Sequence, residues 1–259
     1  MLLSIIVVSF NSRDHLVSCL SALESGLAGL DHEVVVVDNA STDGSVQAVR
    51  SGFPGVKVIA NRENLGFARA ANQAYRATTG RYVLLLNPDV TVNGASVQSM
   101  VAFMEGTPDA GLLLPKLLNP GGTLQLSCRT FYNLEVMMLR RTPLGRLFPD
   151  SQAVREHLMA DWDHADTREV DWGLGAAMFI RRAAVKDKAL FDERYFLYFE
   201  DVDLCLELKS AGWKVIYFPQ AAFVHHHLRQ SASGLINRAK YEHLRSLVKF
   251  WLKHRGLRP

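Results

Sequence analysis

Apolar residues in the first third of the chain occur either in short continuous runs or at helical spacing. The continuous runs are rich in β-branched residues and predict buried strands at residues 2–10, 33–37, 56–60 and 82–86. Between them, apolar residues recur every three or four positions, as at Leu16, Leu20 and Leu23, which predicts helices. Strands that alternate with helices predict an α/β fold built on a doubly wound, mostly parallel sheet.

The pattern becomes less regular after residue 89. Helical spacing returns at 95–104 and 202–210, and strand-like runs occur at 111–118, 170–182 and 213–218. Pro143, Gly145 and Pro149 interrupt residues 134–162, which predicts an insertion or a short helical excursion there. Cationic and apolar residues alternate at helical spacing over 237–259. We therefore predict one domain over residues 1–236, followed by a basic amphipathic C-terminal helix at 237–259.

The composition limits the class of protein and its compartment. The 259 residues carry a net charge of only +3, which argues against a nucleic-acid binder that relies on bulk charge. The three cysteines are widely spaced and form no CxxC pair, so neither a disulfide framework nor a thiolate zinc site is expected. No signal peptide or membrane-spanning run is evident. These features predict a cytoplasmic protein.

Carboxylates follow two of the predicted strands directly. Asn87, Pro88 and Asp89 end the fourth strand, because proline cannot donate to a strand ladder. Asp38 ends the second strand, and parallel strands end at the same crevice, where open α/β sheets bind their ligands. At this crevice Asp89 would suit a divalent cation that also binds phosphate oxygens. Asp38 could accept a hydrogen bond from the N–H of a nucleotide base or from a ribose hydroxyl. Taken alone, Asp89 is better explained as an ordinary turn aspartate, and Asp38 is equally well explained as one.

Two later clusters could also carry chemistry. Glu200, Asp201 and Asp203 lie at the start of a predicted helix, beside aromatic residues over 195–199. Acidic residues are favoured at a helix N-terminus by the macrodipole, but a carboxylate that aromatic neighbours desolvate also gains the basicity of a general base. The three histidines His225–His227 follow the last predicted strand and would be either metal ligands or part of a polar loop.

Taken in order, these segments resemble the family-2 glycosyltransferases of the GT-A fold, and within them the bacterial rhamnosyltransferases that build cell-surface polysaccharide. The resemblance covers the whole chain and depends on the order of its motifs: IVVSFN at 6–11, VDNASTDG at 37–44, NRENLGFARAAN at 61–72, LNPD at 86–89, WGLGAA at 172–177, FDE at 191–193 and YFEDVDLC at 198–205.

The resemblance implies a Rossmann-like, mostly parallel sheet with an extension on the acceptor side. It divides the domain into a nucleotide-binding half, 1–118, and an acceptor and catalytic half, 119–236. Asp38 would bind a pyrimidine base, and Gly173 and Gly175 would let the backbone approach the sugar. The implied residues that bind the nucleotide-sugar are Ser9, Asn11, Asp38, Asn39, Asn64, Gly66, Asn72, Asn87 and Gly175.

The resemblance also assigns the metal and the base. Asn87 and Asp89 stand where the family carries an Asp-x-Asp motif, so Asp89 would hold Mg²⁺ or Mn²⁺ on the diphosphate, with one histidine, taken as His225. Asp201 would be the base and Glu200 its partner. The implied partners are a dTDP- or UDP-sugar, a glycan or polyprenyl-linked acceptor and, by association, the inner face of the cell membrane.

Two alternative functions and two placements of the C-terminal helix remain open. The absence of a Gly-rich loop after the first strand disfavours a sugar-phosphate nucleotidyltransferase, and the intact carboxylates disfavour a non-catalytic binding module at a membrane. The C-terminal helix could either lie on an anionic membrane surface or dock on the domain.

Overall fold

The computed structural model describes residues 1–141, 148, 151–186, 189–226 and 238–254. The first third has the predicted alternation of strands and helices. Its elements are β1 (Leu3–Ser9), α1 (Arg13–Gly26), β2 (His32–Asp38), α2 (Ser45–Gly52), β3 (Lys57–Ala60), α3 (Phe67–Arg76) and β4 (Tyr82–Leu86). The four strands are parallel neighbours in the order β3-β2-β1-β4, which places the carboxyl ends of β1, β2 and β4 at one edge.

The remainder of the described residues adds eight strands, from two to twelve residues long, and five α-helices. These elements are β5 (Val90–Thr91), α4 (Gly94–Gly106), β6 (Ala110–Leu118), β7 (Leu124–Gln125), β8 (Cys128–Arg129), α5 (Leu134–Arg141), α6 (Gln152–His157), β9 (Arg168–Glu169), β10 (Trp172–Gly173), β11 (Ala177–Arg181), α7 (Glu200–Ser210), β12 (Lys214–His225) and α8 (Arg238–Lys253). Pro143, Gly145 and Pro149, which predicted the insertion, lie outside the described residues.

The sheet is mixed at its centre. Its order is β3-β2-β1-β4-β11-β6-β12-β5, and β11 runs antiparallel to both β4 and β6. Side chains of β4 alternate between two hydrophobic layers: Leu84 and Leu86 pack on one face, and Val83 and Leu85 on the other. Both faces are therefore covered, which explains why β4 is a continuous apolar run. The predicted doubly wound, mostly parallel α/β fold is confirmed.

Two predicted local features differ in the structure. The last strand was predicted to end at residue 218, but β12 continues to His225, because the register shift between Phe218 and Ala222 accommodates Pro219 without ending the strand. Cys19, Cys128 and Cys205 are buried free thiols, in line with the prediction of no disulfide framework. Within the described ranges, no helix combines the length and apolarity needed to cross a bilayer.

Helix α8 packs on the domain through one of its faces. Leu247 and Phe250 contact the same hydrophobic layer as Val83 and Leu85, and the Ser246 hydroxyl donates to the Leu197 carbonyl at 2.9 Å. Helical spacing alone lets Leu247 share one face with four other apolar residues, whereas the structure separates it from them. The others, with Tyr241, point outward: Leu244, Val248, Trp251 and Leu252. Asn237 and residues 255–259 lie outside the described residues.

Candidate active site

A cavity of about 360 Å³ opens at the carboxyl ends of β1 and β4. It brings together nine of the predicted site residues: Asn39, Asn64, Gly66, Asn87, Asp89, Gly175, Glu200, Asp201 and His225. The other four predicted residues, Ser9, Asn11, Asp38 and Asn72, do not line it. The walls therefore come from both halves of the chain, with α7 and β12 closing a crevice that the parallel strands begin.

Asp89 and His225 form the candidate metal site. The His225 Nε2 atom lies 3.5 Å from the Asp89 Oδ2 atom, and both side chains are largely buried. The backbone supports this approach, because β5 pairs with β12 and the His226 N–H donates to the Asp89 carbonyl at 2.9 Å. His226 lies near Thr91, with 3.4 Å between its Nε2 and the Thr91 hydroxyl, and His227 lies outside the described residues.

The hydrogen bonds around His225 show what this pair can hold. The Gln125 side-chain N–H₂ donates to the His225 backbone carbonyl and to Asn119 Oδ1. The Gln125 Oε1 atom therefore faces His225 Nδ1, at 2.9 Å, as an acceptor. His225 Nδ1 must then carry the proton, which leaves the lone pair of Nε2 towards the Asp89 carboxylate. A divalent metal ion could bridge a carboxylate oxygen and an imidazole nitrogen 3.5 Å apart, and a buried imidazole with a carboxylate suits such an ion.

The described residues provide no larger metal cluster than this pair. No group of three or more His, Cys, Asp or Glu side chains within them could hold a metal ion. Asn87 lines the cavity beside Asp89, but its amide is a weaker ligand than the carboxylate found at that position in the family motif. A divalent ion at Asp89 and His225 would therefore take its remaining ligands from a bound molecule, for which diphosphate oxygens are chemically suited.

Glu200 and Asp201 begin α7 at the cavity wall. The two residues before the helix, Tyr198 and Phe199, both have left-handed backbone angles, with φ of 69° and 70°. This conformation costs about 1–3 kcal/mol for a bulky residue and must be stabilised by the surroundings. Phe199 is buried against the rings of Tyr132, Phe250 and His243, which supply that packing. The strained turn lets the first residues of α7 reach the cavity.

The two carboxylates have different surroundings. Asp201 accepts from the Gly175 N–H at 3.0 Å and from the Val202 N–H at 2.9 Å, whereas Glu200 Oε2 is buried without a hydrogen-bond partner among the described residues. Burial raises the pKa of Glu200 well above its usual value, and the charge of Asp201 raises it further. Burial also raises the pKa of Asp201, but its two N–H donors and the charge of Arg129 oppose the rise. Glu200 therefore retains a proton more readily, and Asp201 ionises first.

Asn39 organises the loop that forms the opposite wall. Its amide donates to Asn64 Oδ1 at 2.9 Å and to the Gly66 carbonyl at 3.2 Å, and its oxygen accepts from the Leu65 N–H at 3.0 Å. Gly66 has a φ of 84°, and a Cβ there would lie 2.5 Å from the Phe196 carbonyl oxygen. The glycine is thus required for the loop to contact the segment ahead of α7.

The remaining predicted residues lie behind the cavity. Asp38 is buried with Oδ1 accepting from the Ser41 N–H at 2.9 Å, and its Oδ2 has no partner among the described residues. The Ser9 hydroxyl lies 3.0 Å from that of Ser12, so Ser12 does not cap α1 with its side chain. Asn11 joins two loops by accepting from the Thr42 N–H at 2.9 Å.

Asn72 and Gly173 serve contacts within the protein. Asn72 is buried and exchanges hydrogen bonds with the Phe191 backbone, at 2.8 and 2.9 Å, so it holds the segment that leads to α7. A Cβ at Gly173 would lie 2.5 Å from Leu114 Cδ1, so the close approach at Gly173 is to the core rather than to the cavity. Gly175, by contrast, lines the cavity and donates to Asp201.

Several lining residues could not be identified from the sequence. They are Val8, Phe10, Ser12, Phe67, Pro88, Leu174, Ala176, Phe196, Leu197 and Tyr198. Gln125, which orients His225, was also missed, because the two residues are 100 positions apart and no local pattern connects them. The sequence signal for this part of the cavity wall is the aromatic run over 195–199, which contains the lining residues Phe196 and Tyr198.

Comparison with solved structures defines the class of this fold. GalNAc-T7, solved with UDP, GalNAc and Mn²⁺, superposes with a TM-score of 0.69 at 15% identity, over 97% of this chain and 48% of that one. The mannosyltransferase PcManGT from Pyrobaculum calidifontis, solved with GDP-Man and Mn²⁺, superposes with a TM-score of 0.60 at 20% identity, over 88% of this chain and 57% of that one. The chain thus spans about half the length of these proteins. The fold is that of the GT-A glycosyltransferases.

A family model assigns the chain within that class. The model for glycosyl transferase family 2 matches residues 4–142, more than half of the chain. The chain belongs to glycosyl transferase family 2, and it is a nucleotide-sugar glycosyltransferase. This membership confirms the predicted enzyme class over the nucleotidyltransferase and non-catalytic alternatives.

Two curated relatives match nearly the whole chain. It is 28% identical to N-acetylglucosaminyl-diphospho-decaprenol L-rhamnosyltransferase of Mycobacterium tuberculosis, over 98% of this chain and 85% of the relative. It is 25% identical to rhamnosyltransferase WbbL of Escherichia coli, over 98% of this chain and 94% of the relative. The predicted similarity to rhamnosyltransferases is confirmed.

Proposed function

We propose that this protein is an inverting rhamnosyltransferase, which uses dTDP- or UDP-rhamnose and a glycan or polyprenyl-linked acceptor in cell-surface polysaccharide synthesis. The observation that carries the proposal is the single cavity that Asp89, His225, Glu200 and Asp201 share. The similarity to rhamnosyltransferases over 98% of the chain supports rhamnose as the donor sugar.

The metal pair and the loops would bind the donor. Asp89 and His225 would hold Mg²⁺ or Mn²⁺, which neutralises the charge that develops on a departing diphosphate. The wall organised by Asn39, Asn64 and Gly66 would bind the nucleotide, with Asp38 behind it. Asp38 does not line the cavity, so its assignment to a pyrimidine N–H rests on the resemblance and on its buried Oδ2, which has no donor among the described residues.

Asp201 would act as the base. It ionises before Glu200 and faces the cavity, so it can take the proton of an acceptor hydroxyl. The hydroxyl oxygen then forms a bond to the anomeric carbon while the bond from that carbon to the diphosphate oxygen breaks. The backbone N–H of Gly175 holds the Asp201 carboxylate in position. A single displacement of this kind inverts the anomeric configuration.

The outward face of α8 would associate with the inner face of the cell membrane. Five apolar residues there, Tyr241, Leu244, Val248, Trp251 and Leu252, are 47–64% exposed. An amphipathic helix with exposed aromatic and aliphatic residues suits a bilayer interface. Replacing Leu244 and Val248 with Gln should reduce sedimentation with anionic vesicles, while turnover of a soluble acceptor stays unchanged.

The donor and the stereochemistry provide the main test. A thermal-shift panel with and without Mn²⁺ should show stabilisation by dTDP- and UDP-sugars and none by GDP-sugars, because ligands that bind the folded state raise its stability. NMR of the product should then show an inverted anomeric centre. Tight GDP binding in calorimetry would refute the pyrimidine assignment, and a product with retained configuration would refute the single displacement.

A further inference from the structure

Four cationic side chains from three separate elements lie close together beside the cavity. They are Arg69 in the first turn of α3, Arg194 in the segment before α7, and Arg245 and Lys249 on α8. The Lys249 ammonium donates to the Arg194 carbonyl, which fixes α8 against that segment. Burial lowers the pKa of Lys249, and the nearby charges of Arg245, Arg194 and Arg69 lower it further, while the charge of Glu242 opposes them. These four residues are called the rim cations below.

The anionic groups around the rim cations lie mostly beneath them. Arg194 pairs with Asp192 at 2.8 Å, and Arg245 with Glu242 at 3.7 Å, but these carboxylate side chains are only 22% and 8% exposed. The Arg194 and Arg245 side chains are 45% and 50% exposed. Arg69 lies 3.7 Å from Glu193, which is 40% exposed and also pairs with Arg76. The surface that meets solvent is therefore mainly cationic, with its counter-charges set behind it.

Two of the rim cations stand in segments that also contribute residues to the cavity, and the other two stand beside the outward face of α8. Arg69 lies three positions after the cavity residue Gly66, and Arg194 two positions before the cavity residue Phe196. On α8, Arg245 and Lys249 are one turn apart, between the docked face and the apolar outward face. A lipid chain lying along the apolar face would thus place its anionic head at the rim cations.

We propose that the rim cations bind the diphosphate of a polyprenyl diphosphate-linked acceptor and thereby present its sugar hydroxyl to the cavity. This inference rests on the proposed use of a lipid-linked acceptor. A diphosphate can accept several charge-assisted hydrogen bonds from guanidinium and ammonium groups at once. Such binding would fix the acceptor independently of the donor, whose diphosphate is assigned to Asp89 and His225.

Binding of farnesyl diphosphate in neutral detergent micelles tests the proposal without needing turnover. EDTA is included, so that the Asp89–His225 pair cannot hold the diphosphate through a metal ion. The double variant Arg245→Gln/Lys249→Gln should bind farnesyl diphosphate at least about tenfold more weakly than the wild type, since losing even one well-formed charge-assisted bond costs about that factor. Farnesol, which lacks the diphosphate, should bind both proteins equally.

The double variant Arg50→Gln/Lys57→Gln is the matched control. It removes the same charge from exposed positions on α2 and β3 and should bind like the wild type. Equal affinity of the rim double variant and the wild type for farnesyl diphosphate would overturn the proposal. So would a variant that loses only its binding to anionic phospholipid vesicles, because the cations would then recognise membrane head groups. A wild type that binds farnesyl diphosphate but transfers no sugar would instead refute the proposed function alone.

Discussion

Replacing Asp201 with Asn should remove most of the turnover while the protein stays folded. Asparagine has nearly the same size, but it cannot take the proton of an acceptor hydroxyl. General-base catalysis contributes about two to four orders of magnitude, so kcat should fall by about that factor. At about 1.36 kcal/mol per factor of ten, the activation free energy would rise by about 2.7–5.5 kcal/mol. Donor affinity should be little changed, because the base acts on the acceptor.

The same variant should also lose some stability, for a separate reason. The Asp201 carboxylate accepts from two backbone N–H groups, of Gly175 and Val202, through different oxygens. An asparagine has one acceptor oxygen, so one of these N–H groups loses its partner, which lowers the free energy of unfolding by about 1–3 kcal/mol. This loss is too small to explain the fall in kcat if the variant remains folded at the assay temperature.

Three measurements separate these effects. Initial rates at saturating donor give kcat, calorimetry gives the donor affinity, and thermal unfolding gives the stability. Asp14 provides a matched control, because Asp14→Asn makes the same chemical change at a side chain that is 85% exposed. If Asp201→Asn keeps near-normal turnover while Glu200→Gln is inactive, the assignment is wrong and Glu200 is the base.

Four further variants test other parts of the site. Asp89→Asn should abolish Mn²⁺-dependent donor binding in calorimetry without unfolding the protein, and an unchanged Mn²⁺ response would exclude Asp89 as a ligand. Gly66→Ala should lower the melting temperature and the donor affinity, because its Cβ would lie 2.5 Å from the Phe196 carbonyl; normal values for both would contradict the tight contact. Lys253→Met should lower the free energy of unfolding by about 3 kcal/mol, since it leaves the buried Asp203 without its ammonium partner at 2.6 Å. Adding Asp203→Asn should restore part of the lost stability. If the effects of the two substitutions are purely additive, the Lys253–Asp203 interaction is refuted. Glu200 has a raised pKa in the folded state, so it holds a proton that the unfolded chain has released. Stability should therefore fall as pH rises above the usual carboxyl range, and Glu200→Gln should reduce that slope in pH-dependent denaturation. An identical slope in the variant would show that Glu200 ionises normally.

The sequence predicted the strands of the first third well, because β1, β4 and the second half of β2 are buried on both faces and form continuous apolar runs. It could not predict that β11 enters the sheet between β4 and β6, since local periodicity carries no information about strand partners or direction. For α8, apolar residues occur on two sides of the helix. The pattern therefore could not show that Leu247 packs inward while Leu244 points outward.

The candidate site could likewise be predicted only where the local sequence carries the information. Asp89 and Glu200–Asp201 could be predicted because each begins or ends a recognisable element and stands in a motif. The selection of His225 among three histidines depended on resemblance and remains a prediction, and its contact with Gln125 spans 100 positions. Asn72 was expected beside the nucleotide, but its partner is the backbone of Phe191, 119 positions away. Such long-range partners cannot be read from local sequence.

The central position of β11 has a consequence for how the protein forms during translation. Strands β4 and β6 leave the ribosome well before β11, yet neither has its full set of pairing partners until β11 is available. The nascent chain must therefore carry two open, strongly apolar strand edges, which are prone to pair with other chains. A fragment that stops at residue 142 would keep these edges permanently open. Expression of the N-terminal half alone should therefore yield aggregates, and chaperones that shield nascent β-edges should increase the yield of the full chain.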